Sequence, residues 1–363
     1  MVIFLLTLLG SFAFWFTLSF LAALILTPSA RKIALAVNLT APVRPDRLHR
    51  EVRPYGGGLA IAATLVVFAA PPLLFFLCWM GWMGSMGKRL FPAMLLSLAA
   101  VPFFIIGLLD DRYAFRAALK LGLQFLAAAI AVVGYGIKAT VWLDAPYSGE
   151  VVSILWIVSV VNAYNMLDHA DGMAAAVGIV AMTALGLGQI PHLEVGVLHV
   201  PAFAFLSAGA LTGFLVYNFP PAKLFMGDAG TMLVGFLLAA LTIQGRYYYE
   251  WCTPSRLVVL IPLALLAVPL FDMVCVTLSR IRRRESPFRG DATSHLAHRM
   301  LARGWSPRGI VAFAAGAAAV TGGASVAMYF LSGPALLLPW LAVAAVLVAM
   351  LLVRRPVRAE ATS

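Results

Sequence analysis

Long apolar runs separated by short polar stretches dominate the chain. A helix needs about 20 apolar residues to cross the hydrocarbon of a bilayer. Eleven runs approach that length, near 3–26, 57–79, 91–109, 118–136, 150–167, 172–190, 200–218, 230–245, 256–279, 309–331 and 334–353. The pattern predicts an all-α polytopic membrane protein with about 11 transmembrane helices. Residues 1–363 read as a single integral membrane domain. Ser332, Gly333 and Pro334 read as a tight turn between the last two runs. No Lys or Arg precedes the first run, whereas Arg31 and Lys32 follow it. It reads as an uncleaved helix with its N-terminus outside rather than as a signal peptide.

Composition agrees. The 363 residues are 62% hydrophobic and 11% charged, where a soluble domain carries about a quarter charged residues. A net charge of +11 on a soluble protein would suggest nucleic acid. Here the basic residues sit in short loops. Under the eleven-run layout, 21 of the 26 fall on one side, leaving Lys88, Arg89, Lys138, Arg246 and Arg256 on the other. That asymmetry places the first side in the cytoplasm, with the C-terminus there too. Cys78, Cys252 and Cys275 form no CxxC pair and read as apolar filler.

Acids beside membrane spans are costly, so their placement is informative. Asp110 and Asp111 end the third run, Asp168 and Asp171 follow the fifth, and Asp228 opens the eighth. All five fall at the basic face. Carboxylates near Lys, Arg and glycine suit a divalent cation that carries phosphates. The alternative is capping, which suits Asp228 at a helix start but not Asp110 and Asp111 at a helix end. Asn162, Asn165, Asp168 and Asp171 recur every third residue. A helix ending near Asp168 would aim them at one pocket. Buried amides can also serve only to join helices.

These motifs resemble the polyprenyl-phosphate N-acetylhexosamine-1-phosphate transferase family (glycosyltransferase family 4). Five stretches carry the resemblance, in family order, between about residues 44 and 308. They are RLHREVRPYGGGLAI at 47–61, Asp110-Asp111-Arg112 with Lys120 and Gln124, NAYNMLDHADGMA, PPAKLFMGDAGTMLVGF, and VPLFDMVCVTLSR through SPFRGDATSHLAHRMLARGWSPRG. The resemblance implies active-site loops near 44–58, 110–120, 165–172, 219–231 and 280–308. It implies Mg²⁺, with Mn²⁺ as a substitute, held by Asp228 with Asn165 in support. Asp110 and Asp111 would sit at the metal and phosphates, one of them deprotonating or orienting the attacking lipid phosphate. Phe225 matches the position that stacks on uracil, and Asp171, with Asp168 nearby, would bind the base edge. Lys120 would steady a phosphate. His49 belongs to the basic-His stretch, and His295, His298 and Arg299 match a motif at the sugar-phosphate end. Asp272 either pairs with a basic residue near the site, Arg280 being two helical turns on, or joins helices.

Two departures stand out. Where the family has Asp-Gly-x-Asp-Gly, this chain has Asp168-His169-Ala170-Asp171-Gly172. His169 either takes a nucleotide contact or tightens the pocket. The usual His-x-His-His reads His295-Leu296-Ala297-His298, one imidazole fewer.

The implied reaction moves a sugar 1-phosphate, GlcNAc 1-phosphate being preferred, from a UDP-N-acetylhexosamine to polyprenyl phosphate. It would prime a cell-envelope glycan at the cytoplasmic face of a bacterial inner membrane. Eleven runs and the HLAHRM stretch favour this type over phospho-MurNAc-pentapeptide transferase, which remains the alternative. A secondary transporter is the rival from another class, but no repeat is visible and only Asp272 lies deep. The expected partners are the two substrates and membrane lipids, with no nucleic acid; a homodimer is left open.

Overall fold

The structure, a computed structural model, describes residues 2–40, 53–78, 84–139, 145–191, 198–248, 256–286 and 295–354. His49 lies outside these residues. Within them the chain is helical throughout, with isolated bridges joining Thr40 to Pro54 and Tyr55 to Phe225. The helices are α1 (Val2–Ala36), α2 (Gly57–Cys78), α3 (Gly84–Tyr113), α4 (Ala117–Ala129), α5 (Ser148–Leu167), α6 (Met173–Gln189) and α7 (His199–Asn218). They continue as α8 (Gly227–Gln244), α9 (Ile261–Leu265), α10 (Ala267–Arg282), α11 (Leu296–Leu301), α12 (Pro307–Ala327) and α13 (Leu337–Arg354).

Eight helices among the described residues are long and apolar enough to span a membrane, α4 being counted with the π-helical turn that continues it to Gly134, and α9, with the turn before it from Leu257, forms with α10 a further pair bent by 72°. Gly57–Phe68 of α2 and all of α6 are apolar but shorter. In lipid a helix satisfies every backbone polar group internally, which is why apolar runs take this form.

Three boundaries differ from the hydropathy reading. Helix α1 continues to Ala36, about a turn past Arg31 and Lys32, because charged side chains at a membrane surface do not end a helix. Helix α3 runs on to Tyr113 and so carries Asp110 and Asp111 within it. The run at 256–279 is broken at Leu266 rather than straight. Pro269 lacks an N–H for the carbonyl four residues earlier, at Leu265, and the bend sits beside that lost bond.

Helix α8 is the most enclosed of the eight, with 83% of its apolar window buried. It packs on α2, α3, α5, α6 and α7. Glycines permit the closest approaches. A Cβ on Gly107 of α3 would strike the backbone of Asp228 and Ala229, and one on Gly58 of α2 would strike Gly230 and Ala229. Gly227, at φ +72°, turns the chain into α8 against the Asp111 carboxylate. The helix carrying Asp228 is therefore held by direct backbone contact on two sides.

Because the atoms facing Gly107 are backbone, they cannot swing aside. Gly107→Ala is expected to destabilise the fold by about 1–3 kcal/mol. A lowered unfolding midpoint in detergent, with Gly122→Ala as the neutral comparison (nothing lies within 4 Å of a Cβ there), checks this.

Candidate active site

The ends of four helices meet around one ammonium. Lys120, in the first turn of α4, places its Nζ 2.7 Å from Asp110 Oδ2 and 2.6 Å from Asp228 Oδ2. It also donates to Asn165 Oδ1 at 3.4 Å. Asn165, in the last turn of α5, donates from Nδ2 to Asp228 Oδ1 and to Thr231 Oγ1, both at 2.7 Å. One turn deeper, Asn162 Nδ2 donates to the Gln124 Oε1 at 2.7 Å and ties α5 to α4. Asp110 is buried, and its Oδ1 accepts the Phe115 N–H at 2.7 Å, closing the turn after α3.

Asp111 does something that local sequence could not suggest. Its two oxygens accept the backbone N–H groups of Asp228 and Ala229, at 2.8 and 3.0 Å. It caps α8 from α3, satisfying two of the four N–H groups that a helix start leaves unpaired. Capping was the explanation that seemed not to apply to an acid ending its own helix; here the capped helix is a different one.

The fit to a divalent cation follows from this donor set. Among the described residues no group of three acidic, His or Cys side chains forms a ready metal cage. Asp111 is engaged by α8. Asp110 and Asp228, however, converge on a single positive group, so the centre carries excess negative charge. That arrangement suits a hard cation taking one or two carboxylates, with waters and phosphate oxygens completing its shell.

A second set lies at the entry to α8. Phe225 is fixed by backbone bonds in both directions: its N–H donates to Pro54 O at 3.0 Å, and its O accepts from Gly57 at 2.9 Å. Arg53 lies 5.7 Å from the Phe225 ring centre and donates to Asp171 Oδ2 at 3.2 Å. The same oxygen accepts the Ala222 N–H at 2.9 Å. Asn218, fully buried at the end of α7, accepts from Gly172 N at 2.9 Å and donates to Leu224 O at 2.8 Å. It locks the 168–172 corner to the loop before α8. A cavity of about 480 Å³ opens here, lined by Arg53, Asp171, Pro220, Pro221, Leu301 and Arg308 among others.

A third set surrounds His295. Its Nδ1 is 3.2 Å from Asp272 Oδ2, and the Leu296 N–H donates to Asp272 Oδ1 at 3.1 Å. Asp272 also pairs with Arg354 at the end of α13. His169 stacks on His295 with ring centres 3.7 Å apart and planes 17° from parallel. His298 and Arg299 are half-buried on α11, and Asp168 is half-buried where α5 ends. Asp272 thus takes His295 and Arg354 as partners.

The sequence-named residues Asp110, Asp111, Lys120, Asn165 and Asp228 are brought together in one cluster. Phe225 with Asp171, and His169 with His295, form the other two sets. Arg53 and Asn218 were not singled out. Arg53 looked like one loop arginine among many, and Asn218 like an ordinary helix-end amide. The Phe-Pro-Pro that follows Asn218, which stops α7 abruptly, was the available signal.

Comparison with known proteins decides the family. The glycosyl transferase family 4 profile matches residues 93–246, which run from within α3 through α8 and hold the whole Lys120 cluster. A decaprenyl-phosphate N-acetylglucosaminephosphotransferase of Mycobacterium tuberculosis is 32% identical over 78% of this chain and 74% of its own length. The chain belongs to glycosyl transferase family 4. Another member, a probable undecaprenyl-phosphate N-acetylglucosaminyl 1-phosphate transferase of Bacillus subtilis, is 29% identical over 81% of this chain and 78% of its own. A phospho-N-acetylmuramoyl-pentapeptide-transferase of Moorella thermoacetica is 35% identical but over only 40% of this chain.

Burial and the neighbouring His295 ring push the His169 imidazole down to about 3, from 6.5. An unfolded chain takes up that proton first, so this contribution to stability is present above about pH 6.5 and is lost as pH falls toward 3. His169→Phe, which cannot be protonated, is expected to lose less of its unfolding midpoint between pH 7 and pH 5 than the parent chain. Thermal melts in detergent at the two pH values test this.

Proposed function

We propose that this chain transfers N-acetylhexosamine 1-phosphate, with GlcNAc 1-phosphate preferred, from a UDP-sugar to polyprenyl phosphate. The observation that carries this reading is the pair of carboxylates, Asp110 and Asp228, held on Lys120 where α3, α4, α5 and α8 meet. Membership of a family whose relatives are named as polyprenyl-phosphate GlcNAc-1-phosphate transferases gives the cluster its chemistry. The alternative, pentapeptide transfer, is supported by a match over a much smaller part of the chain.

An oxygen of the lipid phosphate attacks the β-phosphorus of the UDP-sugar. The bond from that phosphorus to the bridging oxygen breaks, and UMP leaves with the bridging oxygen. A sugar on a lipid diphosphate remains. Such a transfer asks mostly for positioning and charge neutralisation. Lys120 holds a phosphate oxygen, and Asp110 orients the attacking lipid phosphate. Asp228 and Asn165 would hold Mg²⁺ or Mn²⁺, which supplies neutralisation of the phosphate charge that builds during transfer. Asp111 keeps the start of α8 in place. Phe225 offers its ring face to the base, and Asp171, fixed by Arg53 and Ala222, offers its edge. His295, His298 and Arg299 stand at the sugar-phosphate end, with Asp168 and His169 beside them. His49 is assigned to substrate binding on its motif alone.

Eleven crossings would result if the eight long helices, the bent α9–α10 pair and the shorter α2 and α6 segments each cross once. With the basic loops inside, the Lys120 cluster faces the cytoplasm of a bacterial inner membrane. A cell-envelope glycan is the pathway this serves.

Detergent-purified protein given Mg²⁺, polyprenyl phosphate and UDP-GlcNAc is expected to release UMP. Asp228→Ala, or chelation of the metal, is expected to lower the rate by about a hundredfold or more. Release with another UDP-sugar instead would change the donor and keep the reaction. Folded protein that releases no UMP from any UDP-sugar would contradict the reading.

A further inference from the structure

His295 is held from three directions. Asp272 accepts from its Nδ1 at 3.2 Å, and the same carboxylate accepts the next backbone N–H, from Leu296, at 3.1 Å. His169 covers its ring face at 3.7 Å. A carboxylate can only accept, so the His295 Nδ1 carries a proton in this contact. His169 is itself fixed. Its Nδ1 lies 2.6 Å from Met166 O, a carbonyl that also can only accept. The ring is thereby pinned to the last turn of α5, between Asp168 and Asp171.

The chain supports this stack from both ends. Arg354, at the end of α13, holds Asp272 through the carboxylate and its backbone oxygen. Leu296, Ala297 and Met300 of α11 are buried in the main core, which seats this six-residue helix by its apolar side. Apolar burial alone leaves so short a helix free to shift along its seat. Asp272 holds its first turn to α10, and the stack joins that turn to the α5–α6 corner.

We infer that His169 is a positioning residue: its ring docks the His295 turn onto the corner that carries Asp168 and Asp171, so that the two ends of the substrate site move as one body. The resembled pattern has glycine at this position, which offers no ring for such a contact. In this role the flat ring matters and the His169 nitrogens do not touch substrate. The inference rests on the proposed transferase reading only for its kinetic consequence; the docking itself is structural.

The test uses full-length protein in detergent, as parent chain, His169→Gly and His169→Phe. Amide hydrogen exchange across residues 296–304 is read beside that of α7, which reports global folding. His169→Gly is expected to speed exchange in 296–304 by about tenfold with α7 unchanged, and His169→Phe to restore most of the protection. In UMP release, His169→Gly is expected to lower kcat by about tenfold with KM for the UDP-sugar changed less than twofold, and His169→Phe to recover at least half of that loss. Unchanged exchange in His169→Gly overturns the inference. So does His169→Phe matching His169→Gly in both assays, which would mean that an aromatic ring at this place does not dock the turn. Faster exchange in α7 as well as 296–304 would show a general loss of fold and also overturns it. If the parent chain releases no UMP, the transferase reading fails, while the exchange result still decides the docking.

Discussion

An ammonium among carboxylates in a low-dielectric setting is the interaction on which this molecule is arranged. Lys120 lies within 3 Å of both Asp110 and Asp228. Taking any of these charges from water alone would cost several kcal/mol, so each requires the others in place. Their attraction draws together the end of α3, the start of α4 and the start of α8, while Asn165 adds the end of α5 through two hydrogen bonds. The cluster still carries more negative than positive charge. That surplus suits a hard cation, as the proposed transferase reading requires. Structure and chemistry thus draw on the same few side chains.

The geometry survives because the surrounding helices cannot drift. Helix α8 is nearly enclosed, its start is capped from α3 by Asp111, and its backbone touches Gly107 and Gly58 with no side chain between. Small residues at helix crossings let backbones approach in a membrane, where apolar burial does little to join helices. The paired bonds about Phe225 extend this rigidity into the preceding loop. Asp171 and Asn218 then fasten the α5–α6 corner to the same loop.

Much of this was legible in the sequence, and the exceptions have physical causes. Apolar runs give helices because period and length suffice in lipid. Asp110, Asp228 and Asn165 could be named because charged and amide groups beside spans are expensive and so seldom idle, whereas Lys120 was named through the family resemblance. The Asp111 cap was not legible. It joins residues more than a hundred positions apart, and hydropathy carries no information about which helix starts beside which helix end. Arg53 was hidden among loop arginines that topology already explained. The α9–α10 bend was readable in principle from Pro269, but a proline in a membrane helix often leaves the span intact. His169 was visible as a departure from pattern. What it touches depended on the placement of α11, for which six residues give too little periodic signal.

The proposed reaction requires that the Lys120 cluster receive the diphosphate of a UDP-sugar. The most direct measurement is an experimental structure of the protein with Mg²⁺ and UDP-GlcNAc, determined by electron cryo-microscopy. Density is expected for the diphosphate between Lys120 and Asp228, with a cation on the Asp228 carboxylate and the uracil ring against Phe225. Well-resolved nucleotide density elsewhere, with Lys120 still closed on Asp110 and Asp228, would contradict it.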